Sequence, residues 1–468
     1  VTKTGFTGNN PYSAYPRKER IKFTIQVKDD VTGTYVPKTA YLDMIQVRRI
    51  ENPKGVWRSA GNSDNFHVRL MRLPYDDAED FKPFNSEGAW SATIVEGGDD
   101  FITLRSTVEG SGSDNAQQTG VKSIEGAGEH PIDFWIDFKG TIAENSTPRC
   151  AIVRVRYHNY TCEHDIYVRQ GYAPITIDGN AESDKNPAWA SYNVYCFDAN
   201  NAPVYTKSPL EEGSLFRRGN RTAILASNND RPGFTFGLGP SGSFDVLELG
   251  ATTPSQKTWS QLAPSADDVK SRFASWSIAG DHERIATIED FYTLESTSIH
   301  SNIGKAYGVL YGDGATETQK SVEVALGYDH NEDPTNSKKG MRGCFVFNIN
   351  NSHNIFFPIG KSGYGRRKGM TSNGEKVGAL RYAQRTDYYN NDGTGNIQYV
   401  PLFYDLFERP GAIYQCRNRL SSTGSDVKKS SAFDINYFTM GFEGFENGAS
   451  NNSDGSDSDA CFIRTVKY

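Results

Sequence analysis

The first 175 residues are patterned as short β-strands. Runs of four to seven residues rich in β-branched and aromatic side chains alternate with turn residues, without a helical period between them. The runs cover residues 23–27, 44–47, 66–70, 90–95, 101–105, 132–138, 151–157 and 165–169. Short strands at regular spacing are typical of a β-sandwich. We therefore predict a β-sandwich in this part of the chain.

The run at residues 132–138 shows the period of two most clearly. Asp133, Trp135 and Asp137 alternate with residues 134, 136 and 138, which are Phe, Ile and Phe. Successive side chains of a strand point to opposite faces of the sheet. The pattern therefore predicts a strand with one apolar face in the core.

From about residue 171 the pattern changes. Strand-like runs at residues 234–236, 244–249, 322–326 and 344–348 are separated by long connections rich in Gly, Asn, Ser and Asp. Two short helices are predicted from capping residues, one at residues 208–211, with Ser208 as the cap, and one starting at Thr287. We expect residues 174–468 to form a single α+β domain with long loops, in a chain that is mainly β.

The composition excludes two classes of protein. The 468 residues include 50 Lys and Arg against 57 Asp and Glu, a net charge of −7, which is unlike a protein that binds the phosphate backbone of nucleic acids. No apolar run approaches the roughly 18 residues of a membrane-spanning helix. We expect a folded protein with no nucleic acid partner and no membrane span.

The cysteines and the first residue bear on the compartment. Six cysteines contain no Cys-x-x-Cys pair, so neither a zinc ribbon nor a thioredoxin-type motif is predicted. Cys416 and Cys461 could form a disulfide that closes a late loop, and separate buried thiols are the alternative. The sequence starts at Val1, without an initiator methionine or signal peptide. We expect a trimmed, exported protein whose signal and any lipid anchor lay upstream.

A basic group is the first candidate for ligand binding. Arg366, Arg367 and Lys368 follow a Gly-rich segment and could contact an anionic glycan or a partner protein. The alternative is a solvated loop with one local ion pair.

An aromatic group is the second candidate. Tyr388 and Tyr389 stand beside Asn391 and Asp392. This combination suits a sugar, because rings stack on its apolar faces and amides bond its hydroxyl groups. The two tyrosines could equally be the buried edge of a strand.

Two acidic loops could hold calcium. Asp454, Asp457 and Asp459 lie in one of them, and residues 390–396 form the other. Closely spaced carboxylates suit a hard cation, but neither loop has the bidentate Glu of an EF-hand. Solvated loops of this composition are commoner. We therefore predict no cofactor, with calcium as the alternative.

The first half resembles a known family in four blocks, at residues 90–92, 98–104, 149–155 and 166–171. They are similar to the BACON-type and related immunoglobulin-like modules of Bacteroidetes surface proteins, which close with a strand hairpin ending in a Gln-Gly step. Gln170 and Gly171 form that step here. The resemblance covers about residues 46–173 and implies an immunoglobulin-like sandwich there, with residues 1–45 either completing it or left from a preceding domain.

The second half resembles the lectin-like "major paralogous" domain of the same bacteria, which is related to C-type-lectin-like folds. The matching blocks are residues 189–193, 284–291, 356–360, 363–365 and 462–466. The Trp-Ser-Ser block usual before the last strands is not recognisable. The calcium-lectin signatures Glu-Pro-Asn, Gln-Pro-Asp and Trp-Asn-Asp are absent. The resemblance therefore does not imply calcium-dependent sugar binding.

Together the two resemblances imply a tip or accessory subunit of a Bacteroidetes type V pilus. Such a subunit is a non-enzymatic adhesin at the cell surface, and its partners are other pilus subunits and a host or bacterial surface glycan or protein. Residues 461–466 match a strand of the lectin-like fold itself, so only Lys467 and Tyr468 follow it. A chain with no spare strand to donate suits a terminal position.

Two other functions stay open on the sequence. The first is a glycan-binding protein of a polysaccharide-uptake system, which an exposed aromatic platform would favour. The second is a carbohydrate-active hydrolase, which needs paired carboxylates or a nucleophile and its base in a cleft. Sequence spacing alone does not reveal such a cleft.

Overall fold

The computed structural model describes 21 segments of the chain. They are residues 17–46, 50–72, 82–107, 118–128, 131–200, 202–211, 213–217, 223–225, 245–249, 255–258, 282–294, 302–317, 340–358, 365–368, 375–378, 389–391, 397–399, 411–417, 431–436, 440–444 and 460–468.

Strands dominate the described residues, which confirms the predicted mainly-β fold. Up to residue 170 they are β1 (Arg17–Lys28), β2 (Tyr35–Gln46), β3 (Ile50–Asn52), β4 (Gly55–Arg58), β5 (Phe66–Arg69), β6 (Met71–Arg72), β7 (Lys82–Pro83), β8 (Trp90–Gly97), β9 (Ile102–Ser106), β10 (Ser123–Gly126), β11 (Asp133–Phe138), β12 (Arg149–Tyr157) and β13 (Cys162–Gln170).

The later elements include one helix, α1 (Ile288–Tyr292). The strands are β14 (Ala188–Trp189), β15 (Val194–Phe197), β16 (Pro203–Tyr205), β17 (Ser214–Arg217), β18 (Ala223–Leu225), β19 (Asp245–Leu249), β20 (Ser255–Thr258), β21 (Glu283–Ile285), β22 (Ile303–Tyr311), β23 (Gly340–Asn348), β24 (Asn354–Pro358), β25 (Gly365–Lys368), β26 (Glu375–Gly378), β27 (Tyr389–Asn391), β28 (Ile397–Tyr399), β29 (Gly411–Gln415), β30 (Ser431–Asn436), β31 (Met440–Gly444), β32 (Ala460–Cys461) and β33 (Thr465–Lys467).

A central eight-stranded sheet, with the order β10-β8-β12-β13-β4-β22-β23-β24, is buried on both faces. Val56 and Val309 belong to the core on one face. Their neighbours Trp57 and Leu310 belong to a second core on the other face. Successive side chains of a strand point to opposite faces, so each strand of this sheet supplies both cores. This double burial explains why β12 has four consecutive buried positions.

A three-stranded sheet, β5-β11-β9, covers the first core. Phe134, Ile136 and Phe138 of β11 point into this core, and Trp135 and Asp137 lie partly exposed on the outer face. The predicted alternation of residues 132–138 is therefore confirmed. The specific immunoglobulin-like and lectin-like arrangement stays a prediction.

Strands β1 and β2 form a two-stranded sheet of their own. Within the described residues they hydrogen-bond to each other and to no other strand. Whether residues 1–45 complete the sandwich or are left from a preceding domain is not tested by this pairing, and both alternatives stay predictions. The strands predicted here are confirmed, because residues 23–27 lie within β1 and residues 44–46 within β2.

The two predicted helices have different outcomes. Thr287 caps α1 with a capping box, in which its hydroxyl accepts from Asp290 N at 3.2 Å and its own N–H donates to Asp290 Oδ2 at 2.8 Å. The helix predicted at residues 208–211 is wrong, because the chain forms a turn there. Ser208 Oγ accepts from Leu210 N at 3.1 Å, but the helix does not continue.

The central sheet crosses the predicted domain boundary at residue 173. On one side β4 pairs in parallel with β13, and on the other side it pairs in parallel with β22. The division into domains stays a prediction, but its boundary does not separate one sheet from another.

Three fully buried guanidinium groups add to these connections, those of Arg58, Arg169 and Arg464. Arg58 Nη1 donates to the Gly312 carbonyl at 2.7 Å, and Arg169 Nη1 donates to the Asn354 carbonyl at 2.9 Å. Burial lowers the pKa of each guanidinium. Backbone carbonyls can satisfy such a group without a carboxylate, since each has two acceptor lone pairs. Two of the three arginines thus join a strand before residue 173 to a segment after it.

Candidate functional site

The most exposed apolar surface in the described residues belongs to residues 17–46, which we call the N-terminal arm. Residues directly opposite each other in a strand pair share a face. On one face Ile21 lies opposite Leu42, Phe23 opposite Ala40, Ile25 opposite Lys38, and Val27 opposite Val36. Four of these side chains have large exposed fractions, which are Phe23 47%, Ile25 62%, Val27 37% and Leu42 49%. The arm therefore presents an apolar stripe to solvent.

The opposite face of the arm is polar, with two aromatic rings. Lys22 lies opposite Tyr41, and Lys28 lies opposite Tyr35. The tyrosines are 60% and 67% exposed, respectively. A free two-stranded hairpin is only marginally stable in water. Both faces of the arm thus have side chains that burial would stabilise.

The tip of the arm is ordered by Asp29. Its carboxylate accepts from Thr32 N at 2.8 Å and Val31 N at 3.0 Å. These hydrogen bonds lower the pKa of Asp29, and the one from Thr32 has the largest effect. Gly33, at φ +66°, supplies the left-handed residue of the turn. This turn fixes the register of the 12-residue strands on either side.

A second surface, the outer face of the three-stranded sheet, is closed to stacking ligands. Trp135 lies opposite His67 on one neighbouring strand and Arg105 on the other. The His67 ring stacks on the indole at 4.4 Å between centroids, and the Arg105 guanidinium carbon lies 4.6 Å from an indole centroid. Because the two strands flank β11, these contacts cover both flat sides of Trp135. The ring is therefore not available to stack on a sugar.

Asp133 lies on the same face of β11 as Trp135, two positions earlier in the strand. It accepts from His67 Nε2 and from Arg69 Nε, the latter at 2.8 Å. Burial alone would raise the pKa of Asp133, but the hydrogen bonds and charges of His67 and Arg69 together lower it. This carboxyl is therefore an ionised partner that joins β11 to the neighbouring strand β5, which is a structural role.

A groove of about 550 Å³ opens at the end of β8. Its lining includes Glu96, Asp100 and Arg149, together with an ion pair between Lys122 and Asp99 at 2.6 Å. Charges of both signs line the groove, so it is complementary to no single class of charged ligand.

The basic candidate group lies on a separate two-stranded ribbon. Arg366 is opposite Val377, Arg367 is opposite Lys376, and Lys368 is opposite Glu375. The three residues are therefore in strand β25 rather than in a loop.

The aromatic candidate group lies partly on a different ribbon. Tyr389 is opposite Tyr399, and Asn391 is opposite Ile397. Tyr388 and Asp392 lie outside the described residues. The backbone pairing thus assigns the two candidate groups to different sheets.

The metal and disulfide predictions are not tested by the structure. Asp454, Asp457 and Asp459 lie outside the described residues. Among the side chains that are described, no group of three or more His, Cys, Asp and Glu residues could hold a metal ion. Cys416 is buried, and the Tyr414 backbone bridges that of Phe462, next to Cys461. The segments that carry the two cysteines are therefore neighbours, and the disulfide stays a prediction.

The arm is the feature that the sequence interpretation missed. The signal is the alternation of Ile21, Phe23, Ile25 and Val27 with polar residues, which continues to Lys28. The alternation shows one apolar face, but it does not show whether the same chain covers that face.

No protein-family model and no curated protein matches the chain. In the described ranges, no helix is both long enough and apolar enough to cross a membrane.

Proposed function

We propose that the chain is a non-enzymatic, exported cell-surface protein, an adhesin or a tip or accessory subunit of a fimbrium. Its function is binding. The N-terminal arm binds another subunit, and residues 174–468 bind a glycan or protein ligand. The observation that carries the proposal is the arm, whose apolar face is exposed while the rest of the described chain buries two large cores.

A contiguous exposed apolar surface on a folded protein marks an interaction site. The arm cannot gain stability by folding onto the central sheet, because both faces of that sheet are already covered. We propose a partner as the source of burial. This is the behaviour expected of a subunit that assembles.

We place the ligand site on two two-stranded ribbons, β25-β26 and β27-β28. Arg366, Arg367 and Lys368 give one ribbon a basic strand, and β26 adds Lys376. An anionic glycan or an acidic protein surface is complementary to this charge.

The test is a glycan array and a panel of host surface proteins probed with the full chain. We expect binding that falls at least about tenfold when Arg366, Arg367 and Lys368 are each changed to Glu. The matched control is Arg156→Glu, because Arg156 is a half-exposed strand arginine of the sandwich. Absence of binding to every glycan and protein, or cleavage of a polysaccharide by the pure protein, would contradict the proposal.

A glycan-binding protein of a polysaccharide-uptake system is the second candidate. The observation that favours it is the pairing of Tyr389 with Tyr399, because two aromatic residues at one register position suit a sugar platform. Titration with soluble polysaccharides, using Tyr389→Ala and Tyr399→Ala, tests it. Binding to soluble chains that both variants abolish would favour uptake over adhesion.

A further inference from the structure

We infer that the partner of the N-terminal arm is a second copy of this chain, which encloses the arm on both faces. The inference rests on the proposed function, in which the arm is an assembly element. It adds the identity of the partner and the way in which the arm is held.

The size of the arm favours enclosure. Its strands have 12 residues each, which at roughly 3.3 Å per residue gives a length of about 40 Å. Two strands about 4.8 Å apart are about 10 Å wide, so each face offers about 400 Å². A specific interface buries about 800 Å² on each partner. One face is too small for this, and the two faces together reach it.

The chemistry of the arm agrees with enclosure. Phe23 and Ile25 are exposed on one face, and Tyr35 and Tyr41 are exposed on the other. A partner that covered only the apolar face would leave both tyrosine rings in solvent. Enclosure buries aromatic or branched side chains on each side, and tyrosine suits an interface because its hydroxyl can remain hydrogen-bonded there.

The charge distribution selects a second copy as the partner. The arm, residues 17–46, contains six basic and four acidic residues, a net charge of +2. Because the whole chain has a net charge of −7, the rest of the chain carries −9. A basic arm is therefore complementary to the acidic remainder of another copy, and this attraction favours encounter and correct orientation. Mutual exchange of arms closes a dimer, and one-way donation builds a chain of subunits.

Sedimentation velocity of the full chain over a range of concentrations and salt tests the inference. We expect association that weakens as salt rises. Two double variants probe the two faces: Phe23→Thr with Ile25→Thr, which keeps β-branched residues in the strand, and Lys22→Glu with Lys28→Glu, which reverses charge. Each is expected to raise the dissociation constant at least about tenfold.

The control variant is Val204→Thr, because Val204 is a strand residue outside the arm with 40% of its surface exposed. It is expected to leave association unchanged. The melting temperature of every variant confirms that the remaining fold is intact, since the changed side chains are exposed.

Hydrogen exchange of residues 17–46 gives an independent readout. We expect slower exchange in the associated protein than in the dilute monomer. A wild-type protein that stays monomeric, association that neither arm variant weakens, or arm exchange that does not depend on concentration would each overturn the inference. A monomeric protein that still binds glycans or host proteins would leave the proposed function standing, so the two failures can be told apart.

Discussion

Arg464 shows how a buried charge can hold a β-protein together. It donates to the Asn193 side chain at 2.7 Å, to the Ala190 carbonyl at 2.8 Å and to the Phe356 carbonyl at 3.0 Å. We expect Arg464→Met to lower the free energy of unfolding by about 3 kcal/mol, because it leaves these buried acceptors without their charged donor. Urea unfolding followed by circular dichroism measures the change.

The matched control for Arg464 is Arg156→Met. Arg156 is half exposed and pairs with Glu163 at 2.9 Å, across strands β12 and β13. An exposed ion pair contributes at most about 1 kcal/mol. Equal losses for the two variants would show that the buried network around Arg464 is not what stabilises the fold.

Glu283 is a carboxyl whose ionisation opposes folding. It accepts from Tyr205 Oη and from Thr465 Oγ1, the latter at 3.0 Å, and burial raises its pKa. The folded state therefore holds this proton to a higher pH than the unfolded state, so stability from this group is lost as pH rises through the raised pKa. We expect Glu283→Gln, which keeps an acceptor oxygen, to gain stability relative to wild type as pH rises.

The difference in melting temperature between Glu283→Gln and wild type, measured from acid to neutral pH, tests this. Asp133 and Asp178 have lowered pKa values, so they make stability rise with pH, and they do so equally in wild type and variant. Their effects therefore cancel in the difference, which reports on Glu283. A difference that is constant across pH would contradict the prediction.

The two predicted helix starts show what sequence can say about a short element. Both sites have a hydroxyl cap, but only Thr287 is followed by side chains that hold the helix in the core, since Phe291 and Leu294 are fully buried. Asp290 is also fixed by Arg284, whose Nη2 donates to it at 2.7 Å. After Ser208 the buried residues are Pro209 and Leu210, and a turn is enough to bury them. The sequence shows the capping pattern at both sites, but it does not show the packing that determines whether a helix forms.

The capping box of α1 gives the prediction for this element. Thr287→Ala is expected to cost about 1 kcal/mol, because Asp290 N–H loses its acceptor at the helix start. Thr287→Ser keeps the hydroxyl and should cost much less. Denaturant midpoints of the two variants compare them, and identical midpoints would mean that the cap contributes nothing.

The strands at the eight predicted runs of the first 170 residues were predictable because β-branched and aromatic residues cluster there between turn residues, whereas β3, β4, β6, β7 and β10 were not predicted. The arm and the domain boundary were not, for a common reason. Alternation at residues 21–28 shows an apolar face but not its partner, and the sequence around Val56 does not show that β22 pairs beside β4. Such pairings join residues more than 250 positions apart, and local periodicity carries no information about them. The pairing of Arg366 to Lys368 with β26 was not predicted from the sequence.

Because β4 lies between β13 and β22, we expect residues on both sides of position 173 to unfold in one cooperative step. Gly55 tests this at the junction. A Cβ there would lie 2.4 Å from the Phe345 ring, so Gly55→Ala should lower the free energy of unfolding by about 1–3 kcal/mol through overpacking. Gly61→Ala is the matched control, since a Cβ at Gly61 meets nothing within 4 Å.

Calorimetry should show one transition that shifts as a whole in Gly55→Ala and stays in place in Gly61→Ala. Two transitions, only one of which shifts, would mean that the halves fold independently despite their shared sheet.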